Sequence, residues 1–297
     1  MFWRLRDSGR YCPRGQGFAY GLSRMSLDDA NRLPKMATTA NTHDAGDFIP
    51  NNEDAGLAAN HWLHALSAPE RVLWSIAHLP GPALMTSSFG IESAVLLHMV
   101  REAAAIRGIE IPVVLIDSGY LHADTYRFAD QLERSWDLTL HVYHSPMTSA
   151  HQEAQFGKLW TQGDAGARTY QEINRLEPLR RAFRELGGRL WLQGGRIAHS
   201  ARDDLQEQSE AGPRLLTIAS EVSQDKRRVS DLPVDVDDSI QDTRKKPIWK
   251  LRPLFDWSDE QISEYANAHE LPRHPLADRG HDWVGDVHSI QRTASGF

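Results

Sequence analysis

Cysteine is almost missing: Cys12 is the only one in 297 residues. That excludes an intrachain disulfide framework, a CxxC redox pair and a four-cysteine iron–sulfur cluster. Long apolar runs are missing too. The longest, around Ala94–Val100 and Ile111–Ile116, have the size of buried core elements and fall well short of the ~20 residues that cross a bilayer. Positive charge is in deficit, with 33 Lys and Arg against 40 Asp and Glu and a net charge of −7. A nucleic-acid binder ordinarily shows a basic face, so this balance argues against that class; a few arginines can still converge on a small anion. No His/Cys/Asp/Glu spacing resembles a zinc site. These absences predict a cytoplasmic protein with no membrane and no nucleic-acid partner.

What is present is ordinary for a globular domain: 40% hydrophobic and 25% charged residues. Residues 1–55 carry Asn, Asp, Thr, Gly and Pro without apolar periodicity and are predicted to be a disordered extension. Its first part holds five arginines (Arg4, Arg6, Arg10, Arg14, Arg24) and one acid, Asp7. Such a composition also describes an organellar transit peptide, but no apolar segment of the secretory kind follows. The adopted reading is an extension upstream of a true start at Met25 or Met36.

From residue 56 onward the pattern is that of one nucleotide-binding domain. Amphipathic helices are predicted over Ala58–Leu66 and Pro69–Leu79, with Pro69 in a first helical turn. Strand-like runs follow at Leu84–Ser87, Ile111–Asp117, Leu138–Tyr143 and Leu190–Gln193. Helical stretches separate them at Ile91–Ile106, Ala123–Trp136 and Thr169–Leu186. Such alternation implies parallel βαβ units. The predicted fold class is α/β: a parallel twisted sheet with helices on both faces and ligands at the carboxyl ends of the strands. Residues 203–247 break the pattern with a polar, charge-mixed insertion, read as a long or partly helical loop. Order resumes at Ile248–Phe255, and Ser258 is a predicted N-cap for a helix to Ala268.

Two motifs sit where strands end. Thr86-Ser87-Ser88-Phe89-Gly90-Ile91-Glu92-Ser93 spans a strand–helix junction, where unpaired N–H groups and the helix dipole suit an anion. Ser87, Ser88 and Ser93 add hydroxyls, and Gly90 permits close backbone approach. No Gly-Lys-Ser/Thr follows, so this is not a Walker loop. The same residues also serve for plain capping. Ile116-Asp117-Ser118-Gly119-Tyr120-Leu121 ends the next strand; Asp117 there meets a ribose or base, or merely caps the following helix.

Taken together, these motifs resemble the phosphoadenylyl-sulfate (PAPS) reductase family, within the PP-loop, adenine-nucleotide alpha-hydrolase-like superfamily. Supporting segments run in order from Ala68-Pro69-Glu70-Arg71 through Tyr126-Arg127-Phe128, Phe156-Gly157-Lys158 and Asn174-Arg175-Leu176-Glu177-Pro178. They continue with Pro253-Leu254-Phe255-Asp256-Trp257, His274-Pro275-Leu276 and Gly285-Asp286 with His288. The resemblance implies a sulfonucleotide pocket built by Ser87, Ser88, Gly90, Ser93, Asp117, Gly119 and Tyr120. It implies that Lys158 faces the phosphosulfate, that Arg196, Ser200 and Arg202 form an arginine loop for phosphate, and that His288 adjoins the site. The tryptophans, Trp283 among them, and His274 are expected to be structural, in the core or at element ends.

The implied reaction is thioredoxin- or glutaredoxin-dependent reduction of PAPS to sulfite and adenosine 3′,5′-bisphosphate, in sulfate assimilation. A cysteine thiolate attacks sulfur, and no other side chain replaces it. The family's Glu-Cys-Gly-Leu-His segment does not occur in these 297 residues, so the expectation is a substrate pocket without its nucleophile, and no catalytic residue is assigned. Arg196 is followed by Ile197 where the family has a second arginine. No bound cofactor is expected, and a homodimer is implied as a family habit. Two alternatives stand beside this reading. One is a non-catalytic adenine-nucleotide-binding relative. The other, ranked last because Phe89 and Glu92 occupy the loop, is an ATP-pyrophosphatase-type enzyme.

Overall fold

A computed structural model describes residues 63–79, 81–196, 216–217 and 248–288. The extension over 1–55, most of the 203–247 insertion, Ser200 and Arg202 lie outside the described residues. Of the first expected helix, Ala58–Leu66, only 63–66 are described: 63–65 are helical and Leu66 is a bend.

Among the described residues, six strands form one sheet: β1 (Ala83–Thr86), β2 (Val113–Asp117), β3 (Leu140–His144), β4 (Leu190–Leu192), β5 (Leu216–Thr217) and β6 (Trp249–Leu251). Their order is β3-β2-β1-β4-β6-β5. All neighbours pair in parallel except β5, which runs antiparallel to β6. This short strand departs from the polar loop expected over 203–247. Leu216 and Thr217 pair with Lys250 and Trp249 along the sheet edge, a long-range contact that local composition does not announce.

The faces of the sheet follow from side-chain alternation. Met85, Val113, Leu115, Leu190, Leu192, Trp249 and Leu251 enter the large core, with α1 (Ala68–His78), α2 (Ser93–Arg107) and α3 (Ala123–Trp136). Leu84 and Trp191 point the other way, into a second cluster with Ile248 and Phe183. Helix α4 (Ser149–Phe156) follows β3, and α5 (Gly163–Gln171) and α6 (Glu177–Leu186) precede β4. Phe183, Leu179 and Leu186 of α6 cover that second face. Helix α7 (Asp259–Ala268) returns to the large core through Ile262 and Tyr265. No described helix is long and apolar enough to cross a membrane.

Local chemistry explains the boundaries. Glu70 accepts from both the amide (2.8 Å) and the hydroxyl (2.6 Å) of Ser67, closing the start of α1. Ser258 caps α7 as its spacing to Gln261 predicts: Gln261 donates to its hydroxyl at 3.3 Å, and the amide of Ser258 donates back at 2.9 Å. The helix expected at Thr169–Leu186 starts earlier and contains a π turn at Glu172–Leu176 between α5 and α6. Pro178 gives the reason. It has no N–H for the carbonyl of Asn174, and its ring crowds that turn, so the backbone widens to an i→i−5 bond from Glu177 to Glu172.

Candidate functional site

The strand order reverses between β1 and β4. In an open parallel sheet that reversal leaves a crevice at the carboxyl ends. A cavity of about 470 Å³ occupies it. Its walls come from the ends of β1, β2 and β4, the start of α2, the π turn and the segment Asp282–Asp286.

The β1 loop forms one wall, and Ser87, Ser88, Gly90 and Ser93 all line the cavity. The Ser87 hydroxyl accepts from the amide of Phe89 at 3.1 Å, tightening the turn. Phe89 takes a positive φ of 49° while its ring is fully buried, so packing holds the backbone in a conformation its own sterics disfavour. Ser93 then opens α2 beside the cavity, its amide bonded to Gly90 at 3.1 Å.

The β2 loop contributes Ser118 to the lining, whereas Asp117, Gly119 and Tyr120 stand behind it. Asp117 accepts from the Gly119 amide and from the Tyr126 hydroxyl, both at 2.7 Å. Burial, then the Asp117 bond, pushes the Tyr126 phenol up. Tyr120 donates to Glu153 at 3.2 Å; burial first, then Glu153, pushes its phenol up to about 12. Its ring belongs to an aromatic group in which His288 stacks on Trp160 at 4.3 Å and 8° and meets Tyr170 edge-on. His288 therefore abuts the wall rather than lining it. Lys158 is exposed, next to the short helical turn Leu159–Thr161, and is not part of the lining.

The β4 exit brings Gln193, Gly194 and Gly195 to the cavity. Arg196 turns inward: its side chain is 1% exposed and donates to both Glu92 oxygens (2.5 and 2.6 Å), to Asp259 (2.7 Å) and to the Trp257 carbonyl (3.0 Å). Its charge balances Glu92, which does line the cavity.

Sequence reasoning assigned no site role to the segment Asp282–Asp286. An isolated antiparallel bridge pairs Asp286 with Leu121, and the Val287 amide donates to Tyr120 at 2.8 Å. The Asp286 side chain, 3% exposed, accepts from Ser118 (2.5 Å), Tyr170 (2.8 Å) and Arg175 (3.2 Å). Burial works to raise this carboxyl, but Ser118, Arg175 and Tyr170 outweigh it and hold it below the usual carboxylate range. Trp283, expected to be structural, lines the cavity and is 45% exposed. Thr125, on α3, lines it as well, backed by fully buried His274 at 3.4 Å. The Gly285-Asp286 pair and Arg175 fall within segments that carry the family resemblance; that was the available signal.

A family model for the phosphoadenosine phosphosulfate reductase domain matches residues 82–292, the stretch that builds this cavity. The chain belongs to that family. It is similar to the phosphoadenosine 5′-phosphosulfate reductase of Erwinia tasmaniensis, 36% identical over 273 residues that cover 92% of this chain and 91% of that protein. The enzyme of the same name from Shewanella oneidensis is 38% identical over 239 residues, 80% of this chain and 82% of that one. The fold is that of the phosphoadenylyl-sulfate reductase from Candida auris in its phosphate complex. The two superpose with a TM-score of 0.57 at 22% identity, over 82% of this chain and 98% of that one. The family comprises oxidoreductases of sulfate assimilation, and the sequence-based expectations of family and α/β fold class agree with these matches.

Proposed function

We propose that the cavity binds 3′-phosphoadenylyl sulfate and its product adenosine 3′,5′-bisphosphate. The observation carrying this reading is the cavity at the β1/β4 reversal, walled by the Ser87–Ser93 loop at the start of α2 within a chain of this family. Amide and hydroxyl donors there suit phosphate oxygens, and the apolar side chains of Val114, Ile116, Leu121 and Leu176 suit a nucleoside. Ser87, Ser88, Gly90 and Ser93 act directly on the ligand. Asp117, Gly119 and Tyr120 shape the wall behind Ser118, His288 supports that wall through its aromatic neighbours, and Lys158, with Ser200 and Arg202 from outside the described residues, supplies further polar groups for the anion.

The reduction needs a thiolate. It attacks the sulfur of the phosphosulfate, the S–O bond breaks, and adenosine 3′,5′-bisphosphate leaves with the bonding pair. The resulting cysteine S-sulfonate is then attacked by a thiol of reduced thioredoxin or glutaredoxin, which releases sulfite and leaves a mixed disulfide. The second thiol of that reductant resolves the disulfide. The single cysteine of these 297 residues, Cys12, precedes the matched region 82–292. That favours a second reading, a nucleotide-binding relative that does not itself reduce.

Calorimetric titration of the 297-residue chain with adenosine 3′,5′-bisphosphate, with sulfite release from PAPS plus reduced thioredoxin measured alongside, separates the two. Binding with sulfite means reductase; binding without sulfite means nucleotide binder. Absence of binding removes the pocket reading altogether.

A further inference from the structure

Aliphatic and polar side chains line the cavity and, among the described residues, two aromatic rings join them: Trp191 and Trp283. Trp191 is already committed. It is buried, its indole N–H donates to the Thr86 hydroxyl at 2.7 Å, the Lys250 ammonium lies 4.7 Å over its ring, and Phe183 meets it edge-on. Trp283 is not. Its indole makes no ring contact and no hydrogen bond among the described residues, and it is 45% exposed.

The Trp283 ring is nonetheless held in place. A Cβ on Gly285 would fall 2.2, 2.6 and 2.9 Å from three carbons of its six-membered ring, so the ring lies where a side chain would stand, a closeness that only glycine permits. The segment beneath it is anchored: Val284 is buried, and Asp286 pairs with Leu121 and accepts from Ser118 and Tyr170. One side of the indole is therefore backed by fixed backbone, and the rest is open to the cavity and to solvent. An exposed indole gains free energy when a flat apolar surface covers it, and a purine is such a surface. Single exposed apolar side chains are common and need no ligand; a backed ring in the wall of a nucleotide-sized cavity is a different placement.

We propose that Trp283 is the plate on which the base of the bound nucleotide stacks, with Gly285 setting the position of the ring. The inference rests on the nucleotide reading above and adds to it the side chain that engages the base. The serine loop donates to anionic oxygens, whereas Trp283 offers an aromatic face and a single N–H, so it acts on the base and not on the phosphate. Every base has a π face, so stacking is tolerant of base identity. Trp283 therefore supplies affinity and leaves discrimination among bases to the polar groups of the lining.

The test compares the chain with its Trp283→Ala, Trp283→Phe and Gly285→Ala variants by calorimetry, using adenosine 3′,5′-bisphosphate and, as an anion without a base, inorganic pyrophosphate. Loss of the stack should weaken the bisphosphate roughly 5- to 100-fold in Trp283→Ala. Trp283→Phe should recover most of that loss, and Gly285→Ala should show part of it by pushing the ring aside. Pyrophosphate should bind all four chains alike. The bisphosphate should also quench tryptophan emission more in the parent chain than in Trp283→Phe. A bisphosphate affinity unchanged in Trp283→Ala, a loss shared equally by pyrophosphate, or a quench undiminished in Trp283→Phe overturns the proposal while the nucleotide reading stands. Far-UV circular dichroism identifies a variant that fails to fold, and Trp283→Phe with its emission then carries the comparison. A parent chain that does not take up the bisphosphate overturns both.

Discussion

At the scale of single residues, the β2 loop depends on one atom being absent. Gly119 has φ +76°, and a Cβ there would lie 2.3 Å from the Ser149 hydroxyl oxygen. That hydroxyl donates to the Gly119 carbonyl at 3.0 Å, so the side chain that would clash also holds the loop. Gly119→Ala should therefore cost about 1–3 kcal/mol and weaken adenosine 3′,5′-bisphosphate binding by displacing Ser118. Chemical denaturation and calorimetry measure the two effects; unchanged stability would refute the strain argument. The glycine was legible in the sequence as part of the Asp-Ser-Gly loop. Its partner was not, because Ser149 lies thirty residues on and meets it only through the β2–β3 pairing. The inward turn of Arg196 was hidden for the same reason: Glu92 and Asp259 are 104 and 63 residues away from it.

At the scale of elements, the π turn joins folding to the site. Replacing Pro178 by Ala restores an N–H to the helix and removes the ring clash, so stability should stay level or rise by up to ~3 kcal/mol. The same change lets the turn relax to α geometry and draws Arg175 and Leu176 away from the cavity. Affinity for adenosine 3′,5′-bisphosphate should then fall roughly 5- to 10-fold, because two lining side chains are displaced rather than deleted. A thermal scan and a titration read both quantities, and an unchanged affinity would show that the wide turn has no bearing on binding. Elements with strong local signals were legible. Ala123–Trp136 has the predicted bounds, since its apolar spacing places Phe128, Ala129 and Leu132 on one face. Helix α4 escaped prediction because it buries little apolar surface. A reciprocal amide pair, Gln152 with Asn174 at 2.8 and 2.9 Å, and the Thr148 cap hold it instead.

For the whole molecule, acid sensitivity follows from histidines kept neutral by packing. His98, between α2 and α7, faces the Tyr265 hydroxyl at 2.9 Å, His269 at 4.7 Å between ring centres and, edge-on, Trp136. Burial, then His269 and Arg101, pushes it down to about 4. Burial also lowers His269 against the pull of Glu102. His274 is lowered by burial, with Asp124 opposing and His122 and His281 adding. A histidine whose folded pKa lies below its ordinary value contributes stability that is complete above about pH 6.5; it is lost as pH falls, because the unfolded chain takes up the proton first. Asp286, held below the usual range, adds a further loss only under about pH 4. Solvent screening at half-buried His98 trims its share to about 1–2 kcal/mol, so the melting temperature should fall by about 5 °C between pH 7 and pH 5. His98→Gln should flatten that slope; a melting temperature constant over this range in the parent chain would remove the histidine argument.

The amino-acid sequence by itself determined the alternation of strands and helices, the parallel sheet, the serine loop and the family. All of these depend on neighbours within a few residues or on motifs kept in order. Only the tertiary structure decided which side chains face the cavity. Asp286 meets Ser118 across 168 positions, and Arg175 meets Asp286 across 111. Chain crossings of that length are settled by how the sheet reverses between β1 and β4 and by how α5, α6 and the segment Asp282–Asp286 pack over that reversal. No local periodicity carries that information.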